Sequence, residues 1–202
     1  MSTIVIEGLD GAGGETQTKL LVEHFKTKNI AYKFLKSPNY DTPIGKAIKA
    51  YLNEEFLMDP DSTFLLFCVD NMLNAKRIEK ASKENKHVII DRYITSTIVF
   101  QGARGLLFEK AIKFTKLLEF PRVDVIIYID ICPKTSMQRK QKEKGSLDMH
   151  EKNIEYLGRV RKLYLEEAKK NVLGKWFIIN GEKSIEEIHQ EILEIIHKEL
   201  KL

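Results

Sequence analysis

Apolar residues along this chain follow two alternating patterns. Short, continuous runs rich in Ile and Val occur at 3–7, 31–35, 87–91, 123–130 and 175–180. Runs that do not alternate with polar positions fit parallel strands buried on both faces. Between them, apolar positions recur at the helical spacing over 16–27, 44–52, 62–83, 107–118, 133–143, 148–170 and 184–200. Strands alternating with helices predict an α/β fold: a doubly wound parallel five-stranded sheet flanked by helices, with ligands held beyond the carboxyl ends of the strands. No internal repeat or linker-like tract interrupts the pattern, so 1–202 reads as one domain.

The segment after the first strand run is Gly8-Leu9-Asp10-Gly11-Ala12-Gly13-Gly14-Glu15-Thr16. Its layout is that of a phosphate-binding P-loop, G-x-x-x-x-G-K-[ST], between a strand and a helix. The glycines let the backbone curl so that successive N–H groups face phosphate, and the helix adds its positive end. The fold expectation narrows to the P-loop NTPase type, with Gly8 through Thr16 as the ATP-binding loop. Two side chains depart from the layout. Gly14 stands at the lysine position and Glu15 at the Ser/Thr that binds magnesium. A carboxylate at the first helical turn suits the dipole, competes with phosphate, and can itself ligate Mg²⁺ as a hard oxygen donor. Lys19, five residues past Gly14, points well away from that position on a helix. A basic stretch with a glycine hinge, Arg139-Lys140-Gln141-Lys142-Glu143-Lys144-Gly145, is the better source of replacement charge. It reads as a closing lid over about 139–150.

Composition excludes several classes. The formal charge of +4 suits one anion-binding cleft and is too mild for a surface that coats nucleic acid. No run approaches the ~18 apolar residues of a membrane span. Met1-Ser2-Thr3 leads straight into a strand, which leaves no room for a leader and points to the cytoplasm. Cys68 and Cys132 both lie in apolar segments and read as buried, reduced thiols. His150, between Asp148 and Glu151, reads as an exposed residue at a helix start. His24, His87, His189 and His197 show no convergent spacing.

A second ordered set follows the loop: Asp91-Arg92-Tyr93, with Ser96, Phe100, Gln101 and Gly102, then Asp148 and Glu151 after the basic stretch. Together with Gly8 to Gly13, this set resembles thymidylate kinases from the first strand to about Tyr164. Lys36-Ser37-Pro38, Thr42-Pro43-Ile44-Gly45 and Leu65-Leu66-Phe67 are similar to that family's acceptor-binding segments. The resemblance implies phosphoryl transfer from ATP to dTMP with Mg²⁺ as cofactor, and a homodimer through packed helices, the stretch 64–72 or the segment around Thr97 being candidates. It makes Arg92 the clamp on the acceptor phosphate and places Asp91 near the metal and the reacting oxygens, with Glu15 as second metal candidate. Arg139, Lys142 and Lys144 become the lid cations. The acceptor pocket it implies comprises Asp10 for the sugar 3′-hydroxyl, Phe67 stacked on the base, and Pro38, Tyr40, Asn71, Ser96, Phe100 and Gln101. Asn71 and Tyr40 stand where the family usually carries arginines. Asn71 keeps a donor and an acceptor for a pyrimidine edge. The departures leave two further readings beside a dTMP kinase: a catalytically impaired nucleotide-binding paralogue, and a kinase for another pyrimidine monophosphate such as dUMP.

Overall fold

The computed structural model describes residues 1–144 and 153–200. Strands β1 (Thr3–Gly8), β2 (Tyr32–Lys36), β3 (His87–Asp91), β4 (Val123–Asp130) and β5 (Gly174–Asn180) form one parallel sheet in the order β2-β3-β1-β4-β5. Around it lie α1 (Gly14–Thr27), α2 (Pro43–Leu52), α3 (Pro60–Lys83), α4 (Ile94–Gly102), α5 (Phe108–Leu117), α6 (Pro133–Lys144), α7 (Ile154–Lys170) and α8 (Ile185–Leu200). The expectation of two buried faces holds for the inner strands, where β1 is buried at every position. It fails at the edges. Lys33 and Phe34 of β2, and Lys175 and Ile178 of β5, are exposed, because an edge strand is covered on fewer sides.

The core forms where Ile4, Val5 and Ile6 meet Val88–Ile90 and Val125–Ile129. Leu21 and Phe25 of α1, Ile98 of α4, Val160 and Tyr164 of α7, and Ile192 of α8 close over them. Helix α4 has no counterpart in the predicted pattern. Ile94, Thr95, Thr97, Ile98 and Val99 make it β-branched and weak in helix propensity. Burial against α3, α7 and β1 overrides that preference. Helix α7 starts at Ile154, later than the expected 148, and Gly145, Asp148, His150 and Glu151 lie outside the described residues. Cys68 is buried, and burial pushes its thiol up to about 12, leaving it inert. Cys132 is a correction: it is exposed, because the chain leaves β4 for α6 at that point.

Register places the site. Lys36 of β2 pairs with Asp91 of β3, and Asp91 pairs with Ile6 of β1. Three strand ends and the loop after β1 therefore meet at one carboxyl edge, where the strand order turns back on itself.

Candidate active site

Between β1 and α1, Gly11 and Gly13 take φ values of +77° and +92°, a region that glycine enters without a Cβ penalty. Gly13 caps α1 with no side-chain bond, so the first N–H groups of the helix remain for an anion. Helix α6 fastens the loop from the side. The Ser136 hydroxyl donates to the Asp10 carbonyl at 2.6 Å. Arg139 donates to the carbonyls of Gly11 at 3.3 Å and Gly181 at 3.1 Å. Arg139, expected as a lid cation, is here a clamp on loop backbone, since two carbonyls occupy its guanidinium. Lys140 pairs with Glu143 at 2.8 Å, and Lys142 is exposed on α6. The Lys144 side chain and 145–150 of the expected lid lie outside the described residues.

A cleft of about 590 Å³ opens over the loop. Gly8, Leu9, Asp10, Gly11, Gly13, Gly14, Glu15 and Thr16 line one wall, with Lys19 beside them. Ala12 does not line it, being buried beneath Gly8. Lys36, Pro38 and Tyr40 come from the end of β2, Asp91 and Arg92 from β3, and Arg139 and Lys140 from α6. The 37–39 turn is held by buried Asp70, which accepts from the Ser37 hydroxyl at 2.7 Å and the Asn39 N–H at 3.2 Å.

Two ion-pair systems share this cleft. In the first, Glu15 lies 2.7 Å from Lys19 Nζ and 3.1 Å from Lys36 Nζ, and Lys36 Nζ lies 3.4 Å from Asp91 Oδ2. Bonds from Lys19 and Lys36 hold the Glu15 carboxyl down at about 2. Partial burial works against the Lys36 charge, but Asp91 and Glu15 prevail and raise its pKa. Glu15 and Asp91 thus converge on one cation position with hard oxygen donors. No group of three or more His, Cys, Asp or Glu side chains forms a metal cage among the described residues. A metal here fits the mode Mg²⁺ favours with nucleotides, held by one or two carboxylates, water and phosphate oxygens.

The second system centres on Arg92, whose backbone sits at φ +64°, a costly conformation for a side chain of this size. Its Nη2 donates to Asp10 Oδ1 at 2.7 Å, its Nη1 reaches Ser96 Oγ at 3.4 Å and Tyr164 Oη at 3.5 Å, and its guanidinium lies 5.5 Å from the Phe100 ring centre. Arg92 pairs with Asp10 and not with adjacent Asp91, which turns to Lys36. Burial opposes its charge, but Asp10, Tyr164, Glu7 and Asp91 outweigh that and raise its pKa.

Behind Arg92 lies buried Glu7. It accepts from the Tyr93 N–H at 3.0 Å, from the Thr95 and Ser96 hydroxyls at 2.5 Å each, and from Tyr164 Oη at 2.9 Å. Burial raises the Glu7 pKa, while Arg92, the Ser96 and Thr95 hydroxyls and the Tyr93 N–H pull against the rise. The sequence reading missed Glu7, Tyr164 and the anchoring role of Asp70. Only Glu7 left a visible signal, as a carboxylate at the end of the Ile4-Val5-Ile6 strand run.

The remaining predicted acceptor residues lie on α3 and α4. Phe67 is half-buried and meets the Tyr51 ring edge-on at 6.5 Å. Asn71 is fully buried, and its amide already donates to the Phe67 carbonyl at 2.9 Å and Thr97 Oγ1 at 3.3 Å, leaving Oδ1 as its unpartnered atom. Gln101 Oε1 accepts from Arg104 at 2.7 Å. Ser96 and Phe100 join the Arg92 system, whereas Phe67, Asn71 and Gln101 do not line the phosphate cleft. Thr97 is buried against Asn71 and offers no outer face. Two histidines do converge: the His24 and His197 rings lie 5.7 Å apart, because α1 packs on α8.

Residues 6–192 match the family model described as thymidylate kinase. A probable thymidylate kinase of Pyrococcus horikoshii is 36% identical over 203 residues, covering 98% of this chain and 96% of that protein. The thymidylate kinase of Caldanaerobacter subterraneus is 31% identical over 204 residues, with 98% and 96% covered. The solved structure of thymidylate kinase from Candida albicans shares the fold, with a TM-score of 0.78 at 24% identity over 98% of this chain and 91% of that one. Sequence relatedness along nearly the whole chain, on a sheet whose carboxyl edge gathers a phosphate loop and a strand-end arginine, places this protein in the thymidylate kinase family.

Proposed function

We propose that this chain transfers the γ-phosphoryl group of ATP to dTMP, giving dTDP and ADP, with the cleft between the β1–α1 loop and the β3 end as its centre. The observation carrying this reading is Arg92. It is held in a strained backbone position, faces the phosphate loop, and is paired in the free protein with Asp10. An acceptor phosphate gains two charge-assisted bonds from such a planar fork, enough to compete with one carboxylate. Asp10, once displaced, is free to accept from a sugar hydroxyl beside it. Glu7, through Ser96 and Tyr164, keeps the guanidinium pointed into the cleft.

Donor phosphates rest on the N–H groups of the loop and of the first turn of α1. An acceptor phosphate oxygen attacks the γ-phosphorus as the bond to ADP breaks, and the cleft's cations spread the charge on the three equatorial oxygens. Asp91 and Glu15 are the carboxylates that would hold Mg²⁺, which when bound would supply positive charge to the donor phosphates. The Phe67 ring is offered to the base, with Asn71 Oδ1 as acceptor for a ring N–H and Pro38, Tyr40, Phe100 and Gln101 shaping the pocket. Two free cysteines suit a reducing cytoplasm. Leu65, Val69, Met72 and Leu73 expose one apolar face of α3, which supports a homodimer through that helix.

The test is direct. Purified protein with ATP, Mg²⁺ and dTMP is expected to form dTDP, and Arg92→Ala to slow this by about 10²- to 10³-fold. Wild-type turnover no higher than that of Arg92→Ala contradicts the reading. A panel of dTMP, dUMP and dCMP then sets base preference, with dTMP expected to lead.

A further inference from the structure

A phosphate loop of this layout relies on a lysine after its last glycine, and here that residue is Gly14. Space is not the reason. A Cβ on Gly14 would lie 3.8 Å from Ile6 Cγ2 and 3.9 Å from Asp91 Oδ1, both ordinary contacts. The charge has to come from another element.

Lys36 is placed to bring it. It ends β2 in register with Asp91, and its backbone is fixed: the carbonyl accepts from Asn74 Nδ2 at 3.0 Å, and the next N–H donates to the Asp91 carbonyl at 3.0 Å. Its ammonium lies between Glu15, at 3.1 Å, and Asp91, at 3.4 Å, in the cleft over the loop. Asp91 Oδ1 is also the nearest polar atom to a Cβ placed at position 14. Positions 14 and 36 therefore serve the same corner. Glu15, the second departure, acts with the first: it ties Lys36 and Lys19 to the mouth of the loop. Two ammoniums face two carboxylates, Glu15 and Asp91, which is the balance that a loop lysine facing Asp91 alone would give. The side chain is 40% exposed, and its flexible stem lets the ammonium turn from carboxylates to phosphate oxygens while the backbone stays fixed. The cleft's guanidiniums are otherwise engaged, Arg139 by two carbonyls and Arg92 by Asp10.

We propose that Lys36, oriented by Glu15, supplies the positive charge on the donor phosphates that Gly14 cannot. The inference rests on the cleft binding a nucleotide donor, as read above. Equilibrium affinities of AMP, ADP and ATP, measured by calorimetry with divalent metal chelated, test it without turnover. Lys36→Met is expected to weaken ATP by roughly 10- to 100-fold, the worth of one charge-assisted hydrogen bond, with ADP weakened less and AMP by under about twofold. Lys36→Arg is expected to keep most of the ATP affinity, and Gly14→Lys added to Lys36→Met to restore it. Should Lys36→Met not fold, Lys36→Gln reads the same series with a polar group left between the two carboxylates. Equal weakening of all three nucleotides, no weakening, or no recovery with Gly14→Lys overturns the proposal. Absence of dTDP from the wild-type protein removes the reading of the reaction instead, so the two failures are distinct.

Discussion

Glu7 and Glu167 are both fully buried carboxyls, yet their surroundings are opposite. Glu7 has two donors on each carboxyl oxygen, so its buried acceptors are paired. Glu167 has no hydrogen-bond partner for either oxygen. Burial, then the charge of Glu7, raises its pKa well above the ordinary 4.5. The folded chain therefore keeps a proton that the unfolded chain releases above that value. Stability from this group is whole at low pH and is lost as pH rises toward the folded pKa. Glu167→Gln removes the ionisation, so its gain in melting temperature over wild type should be larger near about pH 8 than near about pH 5. An equal shift at both pH values would count against this. At the same scale, Arg92, Asp91 and the loop glycines were legible because unusual residue types recur there at fixed spacing. The pairing of Lys36 with Glu15 was not. A lysine ending an edge strand reads as a solvated charge; strand register sets it beside Asp91, and the start of α1 brings Glu15 to it.

The phosphate loop and α6 work as a pair. A Cβ at Gly11 would sit 3.0 Å from the Ser136 carbonyl and 3.2 Å from Arg139 Cβ, while one at Gly13 would meet nothing within 4 Å. Both glycines have positive φ, so both alanine variants carry backbone strain of about 1–3 kcal/mol. Only Gly11→Ala also drives α6 off the loop. Urea unfolding should find Gly11→Ala the less stable of the two, and nucleotide affinity should fall further in it. The reverse order would show that α6 does not bear on the loop. Strand positions were legible to within a residue or so, because continuous Ile and Val runs of this length fit inner parallel strands. The exposed positions in β2 and β5 were not, since edge placement is set by topology. Helix α4 was missed for a related reason: its residues favour strand, and only packing makes it a helix.

At the scale of the molecule, the family's activity implies a pair of clefts if two copies meet through α3. Leu65, Val69, Met72 and Leu73 are between 37% and 48% exposed and follow helical spacing. The second candidate face, around Thr97, is closed because α4 packs under α3. Val69→Glu is expected to convert a dimer to monomer in sedimentation velocity while leaving the circular dichroism spectrum unchanged. A wild-type chain that sediments as a monomer at every concentration would dismiss the dimer.

The altered loop is read here as a working donor site, with its backbone cradle kept and its charge moved to β2. Steady-state turnover of ATP and dTMP by the wild-type chain and by Gly14→Lys, Glu15→Ser tests that claim most directly. Measurable dTDP from the wild type, raised no more than about tenfold by the double substitution, is the predicted result. A near-zero wild type that rises by about 10²-fold or more would contradict it and make the native loop a relic.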